Sequence, residues 1–275
     1  MLDMINFNGR MTADSKAMLY ANNRAFNYGD GLFETLKIEN SKIYFLEDHY
    51  FRLMASMRML RMEIPLNFTM EFFESELLKT AQQNNLENAR VRFTVFRKDG
   101  GLYNPTTNQI DYLIVASPLI ILVKENYVVD IFKDYYLNSD ILSTLKTTNK
   151  ITNVLASIYA SENGFDNCIL VNERKQVAEA INGNIFTVKG NIIKTPSISE
   201  GCIKGITRKK IIEIVSKSDD YTIEETEISP FDLQKADEVF ITNVIVGIQP
   251  VTLYKKAVFS TKVSSALAMH LSKLI

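Results

Sequence analysis

Apolar residues in the first part of the chain recur with two different periods. Leu32 to Ile38 and Ala89 to Arg97 alternate between apolar and polar positions, as strands do, and Ile110 to Ala116 returns after a glycine turn as the second arm of a hairpin. The stretch from Asn67 to Asn84 instead carries its apolar side chains at helical spacing. The pattern predicts an N-terminal α+β domain, which we place at residues 1–117.

The second part of the chain predicts short buried strands with helices between them, and the pattern resets near Ser117-Pro118-Leu119. A helical stretch starts at Ile151, and the segment from Ser260 to Leu274 predicts an amphipathic helix. The predicted strands are Tyr127 to Phe132, Cys168 to Val171, Ile185 to Val188, Tyr221 to Ile228 and Glu238 to Thr242. We therefore expect a larger, β-rich α/β domain at residues 118–275, and a two-domain chain of the α/β class.

Composition narrows the class of partner. The 275 residues are 46% hydrophobic, which supports a substantial core, and 31 basic residues nearly balance 32 acidic ones. Balanced charge gives no electrostatic attraction for nucleic acid or an anionic membrane, so we expect neither partner. No apolar stretch predicts a transmembrane helix or a signal peptide. The two cysteines, Cys168 and Cys202, fit reduced thiols, so we expect a cytoplasmic protein.

Three candidate chemical groups follow one another between residues 142 and 214. Lys146 lies in a polar segment that we place at the end of a strand, directly before a helix. Glu179 has small and apolar neighbours, and Gly201 to Arg208 runs into a helix for which Thr207 is the predicted N-cap. An amine, a carboxylate and the free amides of a helix start suit pyridoxal phosphate, whose aldehyde forms a Schiff base with a lysine. No metal site is predicted.

The same residues resemble the motifs of a known family. The resemblance is carried by Lys146-Thr-Thr-Asn149, Asn153-Val-Leu-Ala156, Glu179 with Asn184-Ile-Phe186, and Gly205-Ile-Thr-Arg208. These motifs resemble the class IV (fold-type IV) pyridoxal-phosphate aminotransferases, which include branched-chain and D-amino-acid aminotransferases and aminodeoxychorismate lyase. The resemblance extends from about Asn8 to Val251. It implies the D-amino-acid aminotransferase-like fold, pyridoxal 5'-phosphate as cofactor, a small amino-acid-like substrate and a homodimer.

The resemblance also implies a role for each matching residue in cofactor binding. Lys146 would anchor the cofactor through a Schiff base and then move the proton at the substrate carbon. Glu179 would keep the pyridine nitrogen protonated. Arg52, in a His-Tyr-Phe-Arg-Leu pattern, and the amides of Ile206 and Thr207 would hold the phosphate.

A second loop and three further side chains complete the predicted site. Asn243 and Val244 open the loop where family members place a second phosphate contact. Tyr28 and Phe33 match the turn and strand that line the family's active site, so both are candidates for substrate contact. Arg97, at the end of its strand, could meet a substrate carboxylate or simply flank the sheet.

Lys150 is the rival of Lys146 as the anchor. In the family an Asn stands three residues after the Schiff-base lysine, and both lysines satisfy this spacing, through Asn149 and Asn153 respectively. We prefer Lys146 because it precedes the predicted helix, whereas Lys150 lies in its first turn.

The motifs leave the reaction open between two kinds of enzyme. The short spacing from Lys146 to Asn149 resembles D-amino-acid aminotransferases and aminodeoxychorismate lyases, whereas branched-chain aminotransferases usually have a longer spacing and a tyrosine where Lys150 stands. Val244 lacks the hydroxyl usual in aminotransferases, which favours the lyase, but Leu102 stands where lyases commonly carry an arginine. We predict an aminodeoxychorismate lyase that forms 4-aminobenzoate and pyruvate for folate biosynthesis. The alternatives are an aminotransferase with a branched-chain or D-amino donor and 2-oxoglutarate, and a non-catalytic pyridoxal-phosphate-binding protein.

Overall fold

The computed structural model describes residues 4–13 and 19–274, and the chain divides into two compact units. Unit 1 comprises Met1–Ile120 with Lys146–Asn149, and unit 2 comprises Ile121–Leu145 with Lys150–Ile275. The predicted boundary after residue 117 placed Lys146 in the second domain. The division differs there because the main chain of residues 146–148 pairs with a strand of unit 1.

Unit 1 is built on a six-stranded sheet. Its elements are β1 (Met4–Phe7), β2 (Arg10–Ala13), α1 (Arg24–Tyr28), β3 (Gly31–Glu39), β4 (Lys42–Ile43), α2 (Leu46–Met59), α3 (Met70–Gln83), β5 (Ala89–Arg97) and β6 (Ile110–Pro118). The strand order is β2-β1-β6-β5-β3-β4, with antiparallel pairing throughout. The predicted β5/β6 hairpin and the helix α3 are confirmed, although α3 begins later than predicted.

One row of side chains crosses four strands of this sheet and faces the helices. Glu34, Phe93, Ile114 and Asn6 are successive cross-strand partners, so their side chains lie on the same face. Phe93 packs against Phe73 of α3, with ring centroids 4.9 Å apart. The apolar centre of the row explains the packing of the helices, while its two ends place buried polar groups beneath them.

Unit 2 contains two five-stranded sheets. Its strands are β7 (Val128–Ile131), β8 (Asn167–Val171), β9 (Val177–Ala180), β10 (Asn184–Lys189), β11 (Ile192–Pro196), β12 (Thr222–Thr226), β13 (Glu238–Asn243), β14 (Gly247–Val251), β15 (Leu253–Tyr254) and β16 (Ala257–Val258). Its α-helices are α4 (Ile151–Glu162), α5 (Ile206–Val215), α6 (Pro230–Lys235) and α7 (Lys262–Ser272), and 3-10 turns cover Leu142–Thr144 and Ile198–Glu200. The sheet orders are β12-β11-β10-β13-β14 and β16-β15-β7-β8-β9.

One buried apolar cluster contains residues from both sheets of unit 2. Val129 and Ile169 come from one sheet and Ile185 and Ile241 from the other, and all four belong to the same buried cluster. Strand β8 has a continuous apolar run from Cys168 to Val171 because both of its faces are buried, whereas β7 alternates between buried and partly buried positions. In the part of the chain that the structure describes, no helix is both long and apolar enough to cross a membrane.

Candidate active site

Lys146 is held to the start of β3 through its main chain. Its carbonyl oxygen accepts a hydrogen bond from the amide of Phe33 at 2.9 Å, and the amide of Thr148 donates to the carbonyl of Gly31 at 2.9 Å. The prediction that Lys146 ends a strand is wrong, because the 3-10 turn Leu142–Thr144 comes before it and the segment pairs with β3 only briefly. The lysine is therefore positioned by unit 1.

The side chain of Lys146 contacts an aromatic ring that a second cation also contacts. Its Nζ lies 4.3 Å from the centroid of the Phe33 ring, and the guanidinium carbon of Arg92 lies 3.6 Å from the same centroid. Burial, together with the charge of Arg90, lowers the pKa of Arg92. The Nε of Arg92 donates to the hydroxyl of Thr94 at 3.3 Å, and no carboxylate within the described residues forms a salt bridge with it. Arg92 is thus a partly buried cation suited to an anionic group of a ligand.

Arg92 was missed by sequence reasoning, although a signal for it existed. The register of β3 and β5 pairs Phe33 with Thr94 and Thr35 with Arg92, so all four side chains share one face of the sheet. Phe33 was a candidate for substrate contact by resemblance, and this register places Arg92 on the same face as Phe33.

A buried carboxylate that the sequence analysis did not consider holds Arg52. The Nε of Arg52 donates to Oε1 of Glu34 at 2.8 Å, and its Nη2 makes a short hydrogen bond to Oε2. The Nδ1 of His49 lies 2.7 Å from the same Oε2. Glu34 is 1% exposed and His49 is 0% exposed. Burial alone would raise the pKa of Glu34, but Arg52 and His49 hold it at about 2, so the carboxylate is ionised at neutral pH.

The charge of Glu34 fixes the tautomer of His49. An ionised carboxylate only accepts hydrogen bonds, so Nδ1 of His49 carries the proton. Burial lowers the pKa of His49 despite the opposing effect of Glu34, which makes the ring neutral and leaves Nε2 unprotonated. Nε2 is buried with no hydrogen-bond partner among the described residues. His49 is therefore a donor to Glu34 rather than a solvated surface group.

Arg97 is fully engaged with its own unit. Its Nε donates to Asp30 at 3.0 Å, its Nη1 to the side chain of Asn108 at 2.5 Å and its Nη2 to the carbonyl of Leu60 at 2.7 Å. The residue is 6% exposed. These contacts fit the sheet-flanking alternative better than contact with a substrate carboxylate.

Tyr28 is exposed and lies in a small aromatic and cationic group of unit 1. Its ring centroid is 5.6 Å from that of Tyr103 and 5.0 Å from the guanidinium carbon of Arg24. Arg24 in turn donates from Nη1 to the carbonyl of Leu102 at 2.6 Å. Tyr28 thus borders the loop that follows β5, and its predicted contact with substrate stays a prediction.

Unit 2 holds a lysine and a carboxylate that interact electrostatically. Glu179 lies buried in β9, and its Oε2 accepts a hydrogen bond from the amide of Ile203 at 2.9 Å. The start of α4 is tied to the chain just after β9, because Nδ2 of Asn153 donates to the carbonyl of Ile181 at 2.8 Å. Lys150 is the N-cap residue of α4; burial lowers its pKa, and the charge of Glu179 opposes that shift.

Helix α5 presents its first amides without a side-chain cap from the described residues. The prediction of Thr207 as N-cap is wrong, since Gly205 caps a helix that begins at Ile206. A Cβ at Gly205 would lie 1.9 Å from Oδ1 of Asn184, so only glycine fits beside this amide. The hydroxyl of Thr207 is buried and lacks a hydrogen-bond partner in the described part of the chain. Such a helix start suits an anion.

The loop after β13 closes on itself. Oδ1 of Asn243 accepts hydrogen bonds from the amides of Ile245 at 3.1 Å and Val246 at 2.9 Å. Val244 is partly buried and offers no side-chain donor. A phosphate contact from this loop would therefore come from its main chain.

Each unit, taken by itself, has groups of the kinds that bind pyridoxal phosphate. Unit 1 has the amine of Lys146 and the guanidinium of Arg52, and unit 2 has the carboxylate of Glu179 and the start of α5, which no described side chain caps. The buried, unpartnered hydroxyl of Thr207 also calls for an acceptor such as a phosphate oxygen. No group of three His, Cys, Asp or Glu side chains among residues 4–13 and 19–274 could hold a metal ion.

Comparisons with known proteins show the family. The family described as amino-transferase class IV matches residues 31–254. A putative branched-chain-amino-acid aminotransferase of Methanocaldococcus jannaschii is 32% identical over 251 residues, which are 90% of this chain and 86% of that protein. An aminodeoxychorismate lyase of Vibrio harveyi is 25% identical over 248 residues, which are 83% of this chain and 84% of that protein.

The fold agrees with solved structures. A branched-chain aminotransferase from Thermoproteus uzoniensis superposes with a TM-score of 0.91 at 22% identity, over 100% of this chain and 95% of that chain. This likeness confirms the predicted fold class. Because the family match covers most of the chain, the protein belongs to the class IV aminotransferases and is a pyridoxal-phosphate-dependent enzyme.

Proposed function

We propose that this enzyme is an aminotransferase that moves the amino group of a branched-chain amino acid to a 2-oxo acid such as 2-oxoglutarate. The observation that carries the proposal is the M. jannaschii relative, whose 32% identity over 90% of the chain exceeds the 25% over 83% found for the lyase. The lyase that the motifs favoured becomes the second candidate. It rests on Val244 and on the short spacing from Lys146 to Asn149.

The surroundings of Arg92 support an acceptor that has a second carboxylate on its side chain, as 2-oxoglutarate does. Its guanidinium has no carboxylate partner among the described residues and contacts the same Phe33 ring as Lys146. A guanidinium binds a carboxylate through two parallel hydrogen bonds. We therefore assign the binding of the side-chain carboxylate of 2-oxoglutarate to Arg92, in place of Arg97, whose donors serve Asp30 and the neighbouring main chain.

The cofactor-binding roles follow from the donor types. Pyridoxal phosphate, when bound, supplies an aldehyde that condenses with amines and a ring that accepts electrons from the substrate carbon. Arg52 and the amides of Ile206 and Thr207 would bind its phosphate, and Glu179 would hold a proton on its ring nitrogen. Lys146 would tie it covalently through Nζ.

Lys146 has a second task in this proposal. Its Nζ would take the proton from the α-carbon of the amino acid and deliver it to C4′ of the cofactor. One amine would thus serve as both anchor and base. The ring of Phe33, which is buried, covers one side of this amine and restricts the access of water. The short main-chain pairing with β3 keeps the lysine in place during both steps.

A homodimer is part of the proposal. Three apolar side chains, Ile151, Val154 and Ile158, repeat along one face of α4 and are exposed in the single chain. A second copy of the chain could cover this stripe. Sedimentation of the protein and of Val154→Glu tests the assignment: a dimer that becomes a monomer supports it, and an unchanged dimer moves the interface elsewhere.

Separate incubations distinguish the two reactions. The purified enzyme receives 2-oxoglutarate with L-leucine, L-isoleucine, L-valine or a panel of D-amino acids, and in a second series it receives aminodeoxychorismate alone. We expect glutamate from the branched-chain L-amino acids. Formation of 4-aminobenzoate and pyruvate without any added 2-oxo acid, and no glutamate in the first series, would establish the lyase instead.

A further inference from the structure

Glu34 occupies a costly place for a carboxylate. It lies in β3 on the face that the helices of unit 1 cover, and its cross-strand partner there is Phe93. A buried ion pair seldom stabilises a fold more than apolar side chains of the same volume would. Stability therefore does not explain why a charged pair occupies this position.

The geometry of the Glu34–Arg52 pair suggests that it orients the guanidinium. Arg52 meets Glu34 through two nitrogens, Nε at 2.8 Å and Nη2, and each nitrogen has its own carboxylate oxygen. Two parallel bonds fix the plane of a guanidinium, whereas one bond lets it swing. His49 adds a third bond at 2.7 Å, which keeps the carboxylate itself from rotating.

We propose that Glu34 is a positioning residue for cofactor binding: it holds the guanidinium of Arg52 in the orientation that receives the cofactor phosphate, and His49 holds Glu34. The inference rests on the phosphate-binding role proposed above for Arg52. Charge alone would act in the opposite direction, because a carboxylate beside Arg52 offsets its positive charge and repels a phosphate. The sign of the change on removing the carboxylate charge therefore decides between the two effects.

Glu34→Gln tests the sign. The variant is freed of cofactor and titrated with pyridoxal phosphate, and binding is followed by the absorbance of the cofactor, since the chain has no tryptophan. We expect the dissociation constant to rise about tenfold, as is usual when a supporting partner of a ligand-binding residue is lost. Equal or tighter binding would overturn the proposal.

Glu76→Gln is the matched control. Glu76 is also a buried carboxylate of unit 1, and it accepts hydrogen bonds from Asn6 at 2.7 Å and from Tyr112 at 3.2 Å. It has no contact with Arg52 among its hydrogen bonds. We expect this variant to unfold at a lower temperature while its dissociation constant for pyridoxal phosphate stays unchanged. An equal loss of affinity in both variants would reduce Glu34 to a structural residue.

A double-mutant cycle shows whether Glu34 acts through Arg52. Once Arg52→Ala has removed the guanidinium, Glu34→Gln should cause no further loss of affinity. Additive losses would overturn the positioning role. If Arg52→Ala binds pyridoxal phosphate as tightly as the wild type, the proposed role of Arg52 fails and this inference with it. If Arg52→Ala loses affinity and Glu34→Gln does not, only the role of Glu34 fails.

Two substitutions at His49 give an independent test, which also serves if Glu34→Gln does not fold. The amide nitrogen of His49→Asn can replace the Nδ1 donor, whereas His49→Leu has no donor. We expect His49→Asn to bind pyridoxal phosphate close to wild-type affinity and His49→Leu to bind it several-fold more weakly. Equal affinities in the two variants would show that the bond to Glu34 has no part in cofactor binding.

Discussion

Lys146 and Lys150 are near neighbours in the sequence, yet they belong to different units. Lys146 is fixed by main-chain bonds to β3, and its amine contacts an aromatic ring next to the guanidinium of Arg92. Lys150 is the N-cap residue of α4, and the charge of Glu179 acts on its pKa. The first amine contacts an aromatic ring that a guanidinium also contacts, and the second interacts electrostatically with a carboxylate.

The difference teaches that spacing alone does not select a catalytic lysine. Both lysines precede an asparagine by three residues, so the motif fits either one. What separates them in the structure is the main-chain attachment of Lys146 to β3, which holds this lysine at a fixed place in unit 1. Among the described residues, Lys150 has no such attachment to β3, and it lies at the N-terminus of α4.

Among the substitutions that test the difference between the two lysines, Lys146→Ala should have the largest effect on activity. Without the amine that ties the cofactor and carries the proton, activity should fall by about a thousandfold or more. Borohydride reduction followed by peptide mapping should attach the cofactor to Lys146 in the wild type and to no lysine in the variant.

Lys150→Ala is the control for that experiment. It should keep the label on Lys146 and most of the activity. Recovery of the labelled peptide with the cofactor on Lys150 in the wild type would exchange the roles of the two lysines.

A second test moves to the carboxylate of unit 2. Glu179→Gln should retain pyridoxal phosphate but lose about a hundredfold in kcat, because a neutral amide does not hold a proton on the ring nitrogen. Glu200→Gln is the matched control: Glu200 is a buried carboxylate of the same unit that accepts a bond from Asn172 at 2.7 Å. A wild-type kcat in Glu179→Gln would remove this residue from the proposed mechanism.

Local patterns allowed much of this architecture to be predicted. Strands β5, β8 and β13 were predicted because alternation or continuous apolar runs are local signals bounded by turns. The short helix α1 was missed, since its signals are a cap by Asn23 and the left-handed Gly29 rather than a hydrophobic period.

The contacts around the candidate site residues were harder to predict than the residues themselves. Motifs predicted Lys146, Arg52 and Glu179 as site residues, and their roles stay predictions. The partnership of Glu34 with Arg52 depends on how a strand and a helix register against each other, which no local spacing encodes. The contact of Arg92 with Phe33 likewise depends on the pairing of two strands, which local spacing does not encode.

The surroundings of Lys146 can be tested without touching the lysine. Arg92→Gln should raise KM for 2-oxoglutarate about tenfold or more, the usual loss for a hydrogen bond to a charged group, and should change KM for an uncharged 2-oxo acid side chain much less. Arg97→Gln should instead lower the free energy of unfolding by about 2 kcal/mol, because it leaves the partly buried Asp30 with fewer donors. Equal KM changes for both acceptors in Arg92→Gln would refute the assignment.

The smallest expected effect is a change in the pH dependence of stability when Lys150 is replaced. Burial lowers its pKa from 10.5, so between the folded value and 10.5 the unfolded chain binds more protons than the folded one. Stability due to this residue therefore rises with pH through that window, and the cost of burying the charge is fully present below it. Lys150→Met removes the charge at every pH, so its stability relative to the wild type should be highest near neutral pH, by about 1 kcal/mol or less, and should decline as the pH approaches 10.5. Denaturant unfolding at several pH values measures the difference in free energy of unfolding between Lys150→Met and the wild type, with Lys217→Met at an exposed position as control. If this difference grew with pH, the attraction of Glu179 would outweigh the effect of burial on the pKa of Lys150. Glu179, which the mechanism assigns to the cofactor, would then hold Lys150 as a cation.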